Sequence, residues 1–309
     1  MEWRHLFFCL SGNSIKLNRM MKKIISVLCL IGIFAVSCKD DDQNISSDQK
    51  TAVQDQATAD AYFNDASDLS TSAYNSPSDS NLGGRAASGG KLVFTVTNDT
   101  RFNGATLTLD ASGTIAAPKG TISIDFGAGT TDPSGTLRKG KIMVAYTGYR
   151  FVPGSSLVIT FDGYEVNGIK VEGQRTVITS SVVANTSITF AVKDENGKLV
   201  YTDGTFVTRT SDHTRTWILP TATAKGQWQV QGNASGVTRD LRAYTVAITT
   251  PLIYKAECAL QKIFIPSEGE ATLTVGSTVF QLNYGDQGVS CDKTVTVNVG
   301  GITTDVTVN

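Results

Sequence analysis

A chain of 309 residues with 27 basic and 28 acidic side chains, net charge −1, has no excess of cations with which to hold nucleic-acid phosphates. Its composition, 40% hydrophobic and 18% charged, is that of a globular body long enough for one large domain or two smaller ones. No glycine-rich loop opens a helix after a strand, so no nucleotide cofactor is implied.

Residues 1–20 follow no pattern: Trp3, Phe7 and Phe8 show no periodicity, and translation is expected to begin at Met20 or Met21. Lys22 and Lys23 precede the 13-residue apolar run Ile24 to Val36, which as a helix covers only roughly two-thirds of a bilayer's hydrocarbon core. Two lysines, a short apolar segment and small residues at its exit make residues 21–37 a secretory signal. That exit, Ala35-Val36-Ser37-Cys38, resembles the bacterial lipobox, and the resemblance implies cleavage before Cys38 and acylation of its sulfur and new amino terminus. Each buried methylene adds about 0.8 kcal/mol, so several acyl chains on one residue give durable attachment to a membrane. Lys39, Asp40, Asp41 and Asp42 follow as a solvated charge run. They also resemble the acidic export signal of Bacteroidota lipoproteins, which implies display on the outer face of the outer membrane. The mature chain then carries 22 basic against 27 acidic residues.

Residues 38–90 read as an acidic tether that contains one helix. Ala59, Tyr62, Phe63, Ala66 and Leu69 recur at three- and four-residue spacings within Ala52 to Leu69 and form one apolar stripe. Asn75 to Gly90, with Pro77 and four glycines, is aperiodic and reads as a linker.

From Lys91 to the end, threonine, valine and isoleucine alternate in short runs, which makes residues 91–309 an all-β domain; its length allows a sub-boundary near 250. Leu92 to Thr97 and Ala105 to Leu109 flank Asn103-Gly104, a dipeptide suited to a tight hairpin. A second hairpin is expected where Asn196-Gly197 separates Ser187 to Lys193 from Leu199 to Tyr201. Further strands are expected at Thr121 to Phe126, Lys141 to Tyr146, Ser156 to Phe161, Ile169 to Val171, Gly204 to Thr210, Thr216 to Leu219, Trp228 to Val230, Tyr244 to Thr249, Ala271 to Val275, Thr278 to Asn283 and Thr294 to Val299. Alternation along them leaves one face wet. The fold class is therefore mainly β, a large antiparallel meander with one short N-terminal helix, built as a two-sheet sandwich or as one curled sheet.

Ile124-Asp125-Phe126-Gly127 is echoed by Leu282-Asn283-Tyr284-Gly285. With Arg138 to Ile142 after the first copy and Cys291-Asp292 after the second, these stretches resemble uncharacterised lipoproteins of Bacteroidota over most of the mature body. The resemblance supports the address and implies no activity.

Candidate chemistry is sparse. Cys258 and Cys291 are the cysteines left after Cys38, and an oxidising compartment favours their pairing. His213 is the mature chain's one histidine, so a centre built on two or three imidazoles is excluded and no metal site is expected. In Ser211-Asp212-His213 strand neighbours point to opposite faces, so Asp212 cannot orient His213 as in a hydrolytic triad. An extended Val207 to Trp217 puts Arg209, Ser211, His213, Arg215 and Trp217 on one face, either a ligand face for sugars or anions or a solvated face with arginines laid over threonines. Asp162, Glu165, Glu172, Asp194 and Glu195 sit in or beside predicted turns, and the Asp132 to Gly135 and Gly285 to Asp292 loops lack the ordered oxygen spacing of a calcium loop. The expected role is a non-catalytic surface component without cofactor, binding a glycan or an envelope protein. A carbohydrate-active hydrolase and a carrier holding a lipid or other hydrophobic ligand in a curled sheet are the alternatives.

Overall fold

The computed structural model describes residues 46–76, 90–261, 263, 265–285 and 291–307. The signal segment, Cys38, Lys39, Asp40, Asp41 and Asp42 lie outside the described residues.

The first element, α1 (Ser47–Asn75), opens on a capping box. The Ser46 hydroxyl accepts from the Gln49 amide (3.3 Å) while the Gln49 side chain accepts from the Ser46 amide (2.8 Å), so two N–H groups that the first turn would orphan are satisfied reciprocally. The helix is longer than its apolar stripe predicts. Ala59, Phe63, Ala66 and Leu69 of that stripe are almost wholly buried, so residues 47–75 belong to the core rather than to a tether.

The strands are β1 (Gly90–Phe94), β2 (Thr106–Ala111), β3 (Lys119–Asp125), β4 (Thr130–Thr131), β5 (Leu137–Thr147), β6 (Ser156–Val166), β7 (Ile169–Val183), β8 (Ser187–Val200), β9 (Phe206–Ile218), β10 (Gln227–Val237), β11 (Ala243–Lys255), β12 (Glu268–Val275), β13 (Thr278–Asn283), β14 (Thr294–Val299) and β15 (Ile302–Thr307), with a short helix, α2 (Ala256–Leu260), before β12. They form one antiparallel sheet in chain order, with β4 paired on β5 off the main path. Of the two expected architectures this is the single sheet, and its hydrogen-bonded path passes residue 250 unbroken.

The sheet bends around α1. Asp60 and Asp65 are about 7.5 Å apart along the helix axis, yet Asp60 meets Tyr254 on β11 and Asp65 meets Arg138 on β5. Six strand steps separate β5 from β11, about 29 Å if flat. Only a curled sheet brings both to one helix. Its concave face and α1 share one apolar core that runs from Leu107 on β2 to Val306 on β15, and residues 43–309 form one compact unit.

Of the three Asn-Gly dipeptides, Asn167-Gly168 makes the two-residue turn from β6 into β7 (φ 50° and 81°), whereas the two from which hairpins are expected do something else. Asn103 (φ −56°, ψ 122°) and Gly104 (φ 79°) make a type II turn closed by the Ala105 amide on the Phe102 carbonyl (2.9 Å), inside a longer β1–β2 connection. Asn196-Gly197 lies within β8, where the pairing to β7 and β9 shifts register on both sides. This is a bulge, and Asn196 takes φ 52° to make it. Gly173 on β7 (φ 108°) faces it so closely that a Cβ would stand 2.6 Å from the Asn196 carbonyl oxygen, and the Phe63 ring lies against Gly197. The chain reverses instead at residues 201–205, where the Gly204 amide reaches the Tyr201 carbonyl (3.0 Å).

The internal echo is one structural device used twice. Asp125 and Asn283 end their strands, and each side chain accepts from the amide two residues on, at Gly127 and Gly285 (2.8 Å in both). The aromatic between them then donates to a glycine carbonyl on the neighbouring strand, Phe126 to Gly140 (2.8 Å) and Tyr284 to Gly269 (3.0 Å). It is a strand-ending Asx turn. Cys258 and Cys291 are joined in a disulfide that ties α2 to the segment entering β14.

Candidate functional site

Acidic and amide groups on α1 meet arginines from the concave side of the sheet and, at Arg101, from the turn between β1 and β2. Arg101 and Arg138 pair with Asp65 (3.2 and 2.9 Å), and Arg209 pairs with Asp60 (2.7 Å). Arg175 and Arg215 both donate to the Asn64 side-chain oxygen (2.8 and 2.9 Å). Deepest lies Asp194, fully enclosed, with Arg175 Nε on one oxygen (2.6 Å) and Arg209 Nε (3.1 Å) and Ser211 Oγ (2.6 Å) on the other. Two guanidinium groups hold its carboxyl far below the usual carboxylate range despite the cost of burial.

The sequence-predicted face therefore exists with the expected alternation, and it points inward. Arg209 is 1% exposed and engaged by Asp60 and Asp194, so it is neither solvated nor free for a ligand. His213 is buried, and desolvation with Arg209 nearby lowers its pKa to about 4. Asp212 points to the opposite, wet face and pairs with Lys193 (3.2 Å). Arg215 and Trp217 stand at the edge of an open space.

Among the described residues a cavity lies on each flank of helix α1. On one flank, about 160 Å³ lies between α1 and strands β9 to β12, with Asp60 and His213 on its wall. On the other flank, a cavity of about 370 Å³ opens between the C-terminal part of α1 and strands β6 to β10. Its walls are mainly apolar, with Leu157, Ile188, Phe190, Trp217 and Trp228 prominent. Three charged groups reach it: Asp68 from α1, Arg215 from β9 and Arg150 from the β5–β6 loop.

The tryptophans are already packed. Trp217 and Trp228 lie 5.2 Å apart, Phe190 is 5.8 Å from Trp228, and the Arg215 guanidinium stands 4.9 Å over the Trp228 ring. Gly226 leaves no room for a Cβ beside Trp217, which it would meet at 2.4 Å. The rings wall a hollow instead of offering a flat platform.

Over the mouth lies the loop of residues 148–155. Phe151 takes φ 60°, a left-handed conformation uncommon for a bulky residue, and its ring lies 6.2 Å from Phe190. Arg150 stacks on that ring at 3.8 Å. Desolvation lowers the Arg150 pKa to about 10 against an opposing pull from Tyr74, so it stays charged at neutral pH.

The remaining candidate carboxylates are dispersed: Glu165 pairs with Lys139 (3.8 Å), Glu172 with Lys170 (2.5 Å), and Asp162 and Glu195 are exposed. Asp132 organises its own turn, accepting from the Ser134 and Thr136 amides (2.9 and 3.0 Å) and from Arg138 (2.7 Å). Among the described residues no group of three or more His, Cys, Asp or Glu could hold a metal ion.

Sequence reasoning missed Asp60, Asn64 and Asp68 on the helix, Arg175 on the sheet and Arg150 in the β5–β6 loop. One signal was present: Arg209 and Arg215 fall in phase with Val207 on β9, and a cation on the apolar face of a strand requires a buried partner. The chain matches no protein-family model, no curated protein and no solved structure.

Proposed function

We propose that this chain is a non-catalytic, exported binding protein, held by lipid on Cys38 at the outer membrane and displayed on the cell surface, whose curled sheet holds a small hydrophobic molecule beside α1. The observation that carries the binding reading is the cavity of about 370 Å³ with its apolar and aromatic wall, a size and lining suited to a small ligand. Of the roles expected from sequence this favours the carrier over the glycan binder, because both indole rings are already covered by Phe190, Arg215 and Gly226. The Bacteroidota-lipoprotein likeness and the lipobox at Cys38 support the address.

Trp217 and Trp228 are the only tryptophans in residues 43–309, and both line the cavity. A chain of those residues should transfer energy from them to the neutral apolar dye N-phenylnaphthylamine. Val177 on β7 also lines the cavity, and Val177→Phe, which fills the hollow, should abolish the transfer while leaving the circular dichroism unchanged. No transfer, or transfer indifferent to Val177→Phe, overturns the binding reading. The anchor is tested separately: Cys38→Ala should leave the membrane fraction or remain uncleaved, and unaltered fractionation of a processed protein would defeat it.

A further inference from the structure

Every arginine among the described residues except Arg150 and Arg239 hydrogen-bonds to α1 through its guanidinium group, and those two reach it through their backbone amides, at Tyr74 and Asp55. Among the described residues Arg150 has no ion-pair partner, and it stands at the mouth of the larger cavity. Arg215 is an exception of a different kind. It is only 9% exposed, yet among the described residues its one side-chain hydrogen bond goes to a neutral acceptor, the Asn64 side-chain oxygen (2.9 Å), and its buried Nε meets no partner. Asp68, on the same cavity, is not within ion-pairing distance of it and raises only a longer-range attraction.

A buried guanidinium without a counter-ion is costly, and it cannot relieve the cost by losing its proton. Asp68 bears no such cost, because it is exposed and water hydrates its charge. The charge that the wall buries is therefore positive. Resting on the reading of the cavity as a binding site, we infer that its ligand is an anionic amphiphile: a carboxylate or sulfate head received by Arg215, with Arg150 attracting it at the mouth, and an aliphatic tail along Leu157, Ile188 and Phe190. A flat, forked donor such as guanidinium suits a head with two or more oxygens.

The test uses residues 43–309 and displacement of the neutral dye by dodecanoate, dodecanol and dodecylammonium, each below its micelle concentration. Dodecanoate should bind at least about tenfold more tightly than dodecanol, about 1.4 kcal/mol, with dodecylammonium the weakest. Arg215→Met should remove that preference and leave dodecanol unchanged, and Asp68→Asn should strengthen dodecanoate. If Arg215→Met fails to fold, the exposed Arg150→Gln should still weaken dodecanoate several-fold and spare dodecanol. Equal binding of all three probes, a preference for the ammonium, or a dodecanoate preference that survives both arginine variants overturns the anionic assignment and leaves the cavity reading standing. Failure of the dye itself to bind removes the cavity reading, and the inference with it.

Discussion

Asp194 shows how a charge is kept inside this protein. Its oxygens accept from Arg175, Arg209 and Ser211, so the anion is paired in the same volume that desolvates it. Removing it leaves two buried guanidinium groups without that partner, and breaking such a pair costs about 3–5 kcal/mol. Asp194→Ala should lower unfolding free energy in urea by about that amount, and a loss under 1 kcal/mol would contradict the geometry. His213 has the opposite character, a buried base kept neutral. Its folded pKa of about 4 lies below its unfolded value near 6.5, so the unfolded chain takes up the proton first as pH falls. The stability that His213 contributes is complete above about pH 6.5 and is lost toward pH 4, roughly 3 kcal/mol in all. Urea titrations at pH 7 and pH 4 should show this drop reduced in His213→Gln; an equal drop in both proteins would rule the histidine out as its source.

At the scale of elements, α1 is the part that the sheet is shaped around. Phe63 is fully buried, meets Phe161 edge-on at 5.8 Å and seats its ring on the Gly197 bulge of β8. Phe63→Ala opens a cavity at that junction and should cost about 3–5 kcal/mol. Thermal melting followed by circular dichroism would show it, and a melting temperature within a degree or two of the parent would mean that the helix is an accessory. The bulge explains why an Asn-Gly dipeptide inside β8 reads falsely as a hairpin. Its positive φ serves a helix from another part of the chain, which local sequence does not reveal.

For the whole molecule, closure comes from covalent and polar ties rather than from a sealed barrel. The Cys258–Cys291 bond spans 33 positions, and a loop of that length constrains the unfolded chain by about 3–4 kcal/mol in the entropy model. Reduction, or Cys258→Ser with Cys291→Ser, should lower unfolding free energy by that amount, and thiol labelling of the unreduced, denatured protein should fail at both positions. Labelling of either one would show the bond to be absent in the exported protein. Much of this architecture is legible from sequence. The alternation from Lys91 onward gives an antiparallel meander, and β13 and β14 coincide with their expected bounds. β15 was not anticipated, because Ile302 to Thr307 holds too few apolar residues to stand out.

The sequence by itself determined the periodicities: the stripe on α1, the two-residue alternation of the strands, and the single face shared by Val207, Arg209, His213, Arg215 and Trp217. Each is a local property of backbone geometry, readable without knowing what lies opposite. Only the tertiary structure decided that this face looks inward, that Asp60 and Asp194 neutralise Arg209 while Arg215 meets the neutral Asn64 amide, and that a hollow remains beside Arg215. Those outcomes depend on which distant segments meet when the sheet curls around the helix. Long-range pairing of that kind leaves no period in the chain.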